Sequence, residues 1–385
     1  MSRVSLSKNA EPAGRTAWPL PGERLLLAAG TAPPERGLEA FREWTRLRPG
    51  PVPPPERRLL PLAWWNLRSL SRGEPALDAA GEAFRAAWAD AVGRETSVAG
   101  ILAPLGGPGA EPVLLKGAAL VASGVVPAGA RPMADVDVLV EAGRFEAARA
   151  SLLGAGFKPI LPTPEGARAR LHSEGLRRDD GLAFDLHAAA FTSHRAPGAD
   201  APLFARAHAA SYAGAAVRVP APEDHLLLVC WHGLHWSDAP AVHWVADALL
   251  LLRHAGGRFD WDVFTAEAVR RNVAVSAARA LRFLSADFGA DVPPGVLLAL
   301  DAVPGGFLGR LEAATIARPP SLAGGLLVHW LSHQRARPGS GFWSSLVRFP
   351  RHLAGMWGVD TPARVPGEAA ARIRSRIRKA REARA

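Results

Sequence analysis

The sequence predicts an α+β protein: a small mixed sheet carrying helices, with a helical N-terminal extension and a helical C-terminal domain. Three observations predict it. Between about residues 111 and 190, short apolar runs of strand length alternate with helical patterns, the arrangement of a sheet with helices packed on it. On either side of that region, apolar residues recur at helical spacing. A composition of 48% apolar and 21% charged residues over 385 positions supplies enough apolar surface for two cores and argues against wholesale disorder.

Residues 1–75 read as the extension. Its Pro- and Gly-rich stretches, TAPPERG and RPGPVPPPERR, are expected to be long connections between helix-like patches at 23–29 and 38–47. A helical, partly buried run at 59–70 carries the pair Trp64–Trp65. The core, 76–219, opens on an alanine-rich helix at 76–105, stopped by GGPGAEP. A short apolar strand follows in EPVLL and a second strand, carrying Asp135 and Asp137, ends at Val140, then a helix in RFEAARASLLGAGF closed by Gly156. FKPIL reads as a strand, and ARARLHSEGL and LAFDLHAAA read as two strands paired across the polar turn RRDDG. Residues 220–365 are helical. Pro222, Glu223 and Asp224 suit a first turn, and two amphipathic helices are split by SDAP. Further helices are expected at 261–272, 275–288, 294–302, 322–333 and 342–357, and residues 366–385 form a basic tail.

The net charge of +10 is unevenly spread. Between residues 369 and 385 seven basic residues face Glu382 alone, so the body is too mildly basic to establish a nucleic-acid-binding face. In the same tail Ile373 and Ile377 form a narrow apolar stripe among arginines, a composition that attracts an anionic membrane surface or RNA. The single cysteine, Cys230, lies in the apolar run HLLLVCW, which excludes an intramolecular disulfide framework and predicts a buried thiol. A cytoplasmic location is expected, since the first residues lack the apolar run of a signal peptide and no run approaches the ~18 apolar residues of a membrane span.

The stretch with most chemical content is EPVLLKGAALVASGVVPAGARPMADVDVLV, residues 111–140. It reads as strand, a turn bearing Lys116 and Gly117, a short helix, an irregular Gly/Pro segment and a second strand. Side chains two apart on a strand share a face, so Asp135 and Asp137 project together while Val136 and Val138 enter the core. Adjacent carboxylates repel and are costly to desolvate, and a hard cation such as Mg2+ between them relieves both costs.

LLKGAAL followed by RPMADVDVLV resembles an uncharacterised bacterial nucleotidyltransferase family within the polymerase-beta-like nucleotidyltransferase superfamily, over roughly residues 76–252. The resemblance implies a third acidic residue on a later strand, for which Asp185 in LAFDLHAAA is the candidate; Asp179 and Asp180 compete from a turn. It implies two Mg2+ ions held by Asp135, Asp137 and Asp185, and transfer of a nucleoside monophosphate from an NTP to an unidentified acceptor with release of pyrophosphate. Gly117 is then expected to let the backbone approach the triphosphate, with Lys116 and Arg131 as phosphate ligands. The superfamily's usual Gly-Ser turn is Lys116-Gly117 here. The alternative reading is a non-catalytic module that keeps the fold to bind a nucleotide, an RNA or a protein.

His232, His235, His243 and Asp247 have spacings that can share helical faces, as zinc ligands do. The interleaved Trp231, Trp236 and Trp244 favour a helix–helix interface or a substrate-lining role. His187, two after Asp185, faces the same way and is expected to line the cleft. The sequence has no G-x-x-x-x-G-K-[ST] loop, cysteine pair or G-x-S-x-G elbow.

Overall fold

The computed structural model describes residues 17–48, 50–70, 74–106, 111–161, 171–191, 198–234, 242–303, 310–311, 314–315, 321–335, 341–357 and 359–382. Helices α1 (Pro21–Thr31), α2 (Pro34–Leu47), α3 (Pro54–Arg57), α4 (Leu60–Leu67) and α5 (Pro75–Gly106) precede the sheet. The stretches expected to be long connections are shorter than predicted, because their prolines start helices. Pro34, Pro54 and Pro75 open α2, α3 and α5, where proline's missing N–H costs nothing and its fixed φ suits the first turn.

The sheet is mixed and seven-stranded, in the order β3-β4-β5-β2-β1-β7-β6. Its strands are β1 (Val113–Leu114), β2 (Val136–Leu139), β3 (Lys158–Pro159), β4 (Ser173–Arg177), β5 (Ala183–His187), β6 (His208–Tyr212) and β7 (Ala215–Val219). Helix α6 (Lys116–Ala122) joins β1 to β2, α7 (Phe145–Gly154) follows β2, and α8 (Ala201–Arg206) precedes β6. At the end of α7, Gly156 adopts φ +87°, a left-handed conformation that favours glycine. The expected pairing across 177–181 is present as the antiparallel β4–β5 ladder, although residues 167–170 of the longer predicted strand lie outside the described residues.

The β6–β7 hairpin is an element the sequence reading left out. Its two-residue turn, Ala213-Gly214, has φ +55° and +77°, the left-handed pair that a tight hairpin demands. Asn-Gly would announce such a turn; Ala-Gly does not.

Two apolar cores flank the sheet. One packs Val98, Leu102 and Leu105 of α5 and Phe145, Ala148 and Leu152 of α7 against Val136, Val138, Phe184 and Leu186. The other is formed by the early helices together with α9 (Pro222–Gly233), α10 (His243–Ala255), α11 (Trp261–Arg270), α12 (Ala274–Phe288) and α13 (Pro294–Ala302). The ends of this chain segment are pinned together. Trp18 packs on Phe283 at 4.7 Å, the Trp244 indole N–H donates to the Ala17 carbonyl at 3.2 Å, and Arg24 pairs with Asp287. Gly233 is where α9 meets α10, since a Cβ there would lie 2.0 Å from Trp244 Cγ.

Helices α14 (Leu322–Arg335), α15 (Phe342–Trp357) and α16 (Val365–Glu382) assemble a separate small core of Leu353, Ala354 and Val365, with Leu326, Phe349 and Trp357 against it. No helix among the described residues is long and apolar enough to cross a membrane.

Candidate active site

Strands β2 and β5 run parallel in a register that pairs Asp137 with Asp185 and Leu139 with His187. Asp137, Asp185 and His187 therefore share one face of the sheet, while the alternate residues Val136, Val138 and Phe184 enter the core beneath. Ligand atoms of Asp137, Asp185 and His187 lie within 4.8 Å of one another, the one such trio of His, Cys, Asp or Glu among the described residues. Asp135 stands immediately before β2, exposed at the rim. Asp179 and Asp180 are drawn into the β4–β5 turn, where they pair with Lys158 and Arg178.

Asp137 is 6% exposed. Its Oδ1 accepts from Lys116 Nζ at 2.5 Å and from His187 Nε2 at 3.1 Å, and the same His187 nitrogen lies 3.0 Å from Asp185 Oδ2. Burial alone would raise the Asp137 pKa, but Lys116 and His187 overcome it and hold the group at about 2. Asp185 follows the same logic: against burial, His187 and then Lys116 keep its carboxyl far below the usual range. Burial pushes the His187 imidazole down, yet the two aspartates carry it up to about 9, so it is a cation at neutral pH. Asp135 moves upward, through partial enclosure and the like charge of Asp137. A site whose carboxylates differ this way keeps most of its negative charge at neutral pH.

Lys116 is held in an uncommon conformation. Its φ of +49° costs a side-chain-bearing residue about 1–2 kcal/mol. Two contacts hold it there: Nζ on Asp137, and the backbone carbonyl, which accepts from His225 Nε2 at 3.2 Å. Burial depresses the His225 pKa from 6.5 to about 4, so this imidazole is neutral and donates through Nε2. The unfolded chain takes up that proton first, so stability falls with pH between 6.5 and about 4, by roughly 3 kcal/mol for a shift of this size. Urea unfolding across that window is expected to show the loss in the wild type. His225→Gln, which retains a donor and cannot titrate, should be less stable at neutral pH and lack this slope.

Gly117 has a packing explanation in the fold. A Cβ there would sit 2.7 Å from Met133 Sδ, so the missing side chain makes room for the Met133 side chain of segment 131–135 against α6. That segment is fixed at two more points. Arg94 of α5 donates to the Met133 carbonyl at 2.5 Å. Arg131 makes a two-pronged pair with Asp247 of α10, Nε to Oδ1 at 2.8 Å and Nη2 to Oδ2 at 3.0 Å, while Nη1 reaches the Pro132 carbonyl at 2.9 Å. The guanidinium expected to meet phosphate is thus already engaged, and it ties the start of β2 to the helical layer.

The histidines of α9 and α10 do not converge on a metal. His232 is exposed, the His243 Nε2 lies 3.1 Å from the Arg58 carbonyl, Asp247 is occupied by Arg131, and His235 lies outside the described residues. Trp231 and Trp244 are buried in the helical core, as an interface requires. Cys230 is a buried thiol that burial pushes up to about 12. Sequence reading missed Arg58, at the turn before α4. His243 holds its backbone, Arg131 lowers its pKa after burial does, and Asp135 raises it, which places an exposed guanidinium within electrostatic reach of the aspartates. Nothing in the spacing of the sequence connects residue 58 to residue 135.

The donor set fits a hard divalent ion. Asp137 and Asp185 present carboxylate oxygens from facing positions, Asp135 adds a third group at the rim, and the fold draws two side-chain cations, Lys116 and His187, into the negative field between them. Among the described residues the His187 Nδ1 is buried without a hydrogen-bond partner, so the hydrogen bonds that orient this imidazole there come from the two carboxylates, with His172 packed edge-on against it.

A family model described as an uncharacterised nucleotidyltransferase matches residues 55–289. No curated protein and no solved structure matches the chain.

Proposed function

The chain belongs to the uncharacterised nucleotidyltransferase family, and from that premise we propose that it transfers a nucleoside monophosphate from an NTP to an acceptor hydroxyl or phosphate, releasing pyrophosphate. The observation that carries this reading is the in-register facing of Asp137 and Asp185 across parallel strands. Mg2+ held by Asp135, Asp137 and Asp185, as two ions, would lower the pKa of the acceptor hydroxyl and neutralise charge on the attacked and leaving phosphates.

The chain's own residues then divide the work. Asp185 is oriented by His187, and Asp137 by Lys116 and His187. Lys116 opens α6 with its Nζ on Asp137, and its point charge beside the aspartates is the proposed partner for the β and γ phosphates. Gly117 admits Met133 and so sets how closely the 131–135 segment approaches α6. Arg131 positions Asp135 through its anchor on Asp247, and Arg58 supplies a further positive charge near Asp135. The single cysteine, a buried thiol, accords with a cytoplasmic setting.

One observation favours a second reading, a nucleotide-, RNA- or protein-binding module without turnover. Lys116 and His187 already neutralise Asp137 and Asp185, so the cluster is electrostatically satisfied by the protein itself. Calorimetric titration with each NTP and Mg2+, followed by pyrophosphate measurement with candidate acceptors, separates the two. The transferase reading expects Mg2+-dependent NTP binding that Asp135→Ala and Asp185→Ala weaken about tenfold or more, and pyrophosphate release once the acceptor is supplied. Equal NTP binding by wild type and both variants overturns it.

A further inference from the structure

The C-terminal helices carry a feature that nucleotidyl transfer does not use. On α15, Phe342, Trp343, Leu346 and Val347 are 60%, 76%, 43% and 79% exposed, large apolar side chains on two successive turns. The opposite face of the same helix is buried through Ser345, Leu353 and Ala354, with Phe349 against the small core and the Ser345 carbonyl facing His333. Helical spacing puts Trp343, Leu346, Val347 and Pro350 on one arc, with Arg348 and Arg351 exposed beside it. A face this apolar gains free energy by leaving water.

Charge indicates what it meets. Residues 342–385 hold ten basic and three acidic side chains, so this segment supplies seven of the ten units of net positive charge. Helix α15 itself contains no acidic residue. Helix α16 is tied to α15 by Arg372, whose guanidinium lies 5.1 Å over the Trp357 ring, and its exposed Arg374 and half-exposed Ile373 repeat the pairing of apolar and basic groups. The segment also lies outside residues 55–289, the part shared with the family.

We propose that α15, flanked by α16, is a docking face for an anionic lipid bilayer: Trp343, Leu346 and Val347 enter the headgroup–acyl boundary while Arg348, Arg351 and Arg374 of α16 lie on the lipid phosphates. RNA would account for the arginines and leave the aliphatic Leu346 and Val347 exposed without purpose. A bilayer takes both, which is the signature of a helix lying in the membrane interface. The face is independent of the aspartate cluster, so the inference stands apart from the transfer reaction.

The test is flotation of the full chain with vesicles of equimolar phosphatidylglycerol and phosphatidylcholine, against pure phosphatidylcholine. The chain should float with the anionic vesicles, and less so as salt rises. The triple variant Trp343→Ser/Leu346→Ser/Val347→Ser should weaken partitioning about tenfold or more, as should Arg348→Glu/Arg351→Glu. All these side chains are exposed, so unchanged circular dichroism is the expected control. Because Cys230 is buried, Val347→Cys offers one accessible thiol for an environment-sensitive dye, whose emission should shift to the blue on anionic vesicles alone. Three outcomes overturn the proposal: no flotation, flotation unchanged by the serine substitutions, or a dimer in sedimentation velocity that those substitutions dissolve. Retention on RNA that the serine variant leaves intact, without vesicle binding, assigns the segment to nucleic acid instead.

Discussion

Asp137→Ala is expected to be the most damaging single change in the protein, and to act twice. It removes the carboxylate that Lys116 and His187 share, leaving two buried cations beside Asp185 alone. Breaking a buried pair by deleting one partner costs about 3–5 kcal/mol. Urea unfolding of the metal-free variant at neutral pH should show a loss of that order. It also takes away one of the oxygen ligands proposed for Mg2+, so on that proposal Mg2+-dependent pyrophosphate release should fall about a thousandfold or more. Asp137→Asn keeps the shape and an acceptor oxygen but not the charge, so comparison with Asp137→Ala shows how much of both effects is electrostatic. The stabilising share of Asp137 is present above its unfolded pKa of 3.8 and disappears as pH falls toward about 2, so an acid titration should flatten in that range in either variant. Unchanged stability in both would mean that Lys116 and His187 do not depend on this carboxylate.

The second large effect is expected at Asp247, one contact behind the aspartate cluster through Arg131. Arg131 is 13% exposed and Asp247 5%, and the two are 116 residues apart in sequence. Asp247→Ala strands a buried guanidinium and should cost about 3–5 kcal/mol. The double variant Arg131→Met/Asp247→Leu removes both charges and should recover most of that stability, because a desolvated ion pair and an apolar pair of like volume are nearly equivalent. Activity should not recover with it. The Arg131 fork fixes the backbone that leads into Asp135, and an apolar pair supplies no comparable direction. Stability restored while turnover stays depressed would identify the pair as a positioning device; full recovery of both would reduce it to a filler of space.

How much of this was legible in the sequence depended on the range of the interaction. Asp135 and Asp137 were candidates because strand alternation is a two-residue rule that VDVLV displays locally, whereas Asp185 came only from the family resemblance, which implies a third acidic residue on a later strand. The helices from residue 222 onward followed from their apolar spacing, and the helices at 294–302 and 342–357 match in extent. What could not be read was set by pairing across the fold. That Lys116 lies on Asp137 follows from β1 pairing with β2, and that Arg131 meets Asp247 follows from α10 packing beside α6. The role of Gly117 is steric and needs Met133 in place to be seen. The β6–β7 hairpin escaped because Ala213 takes a left-handed conformation that its side chain does not favour, so the turn carries no Asn or Asp signal.

The pinning of the earliest helices onto the latest has a consequence in time. Arg24 finds Asp287 across 263 residues, and Trp244 reaches Ala17 across 227. A ribosome delivers α1 with its main packing partners α2 and α4, but long before α10 and α12, on which Ala17 and Arg24 are pinned. The surface those late helices cover must wait, exposed or provisionally covered, while some two hundred further residues are made, at rates of about 5–20 residues per second. The sheet core closes without α12, yet the helical core cannot close before α12 emerges. The vulnerable interval in this protein's life therefore falls during its own synthesis, and its length is set by how far apart the chain places the two halves of a single core.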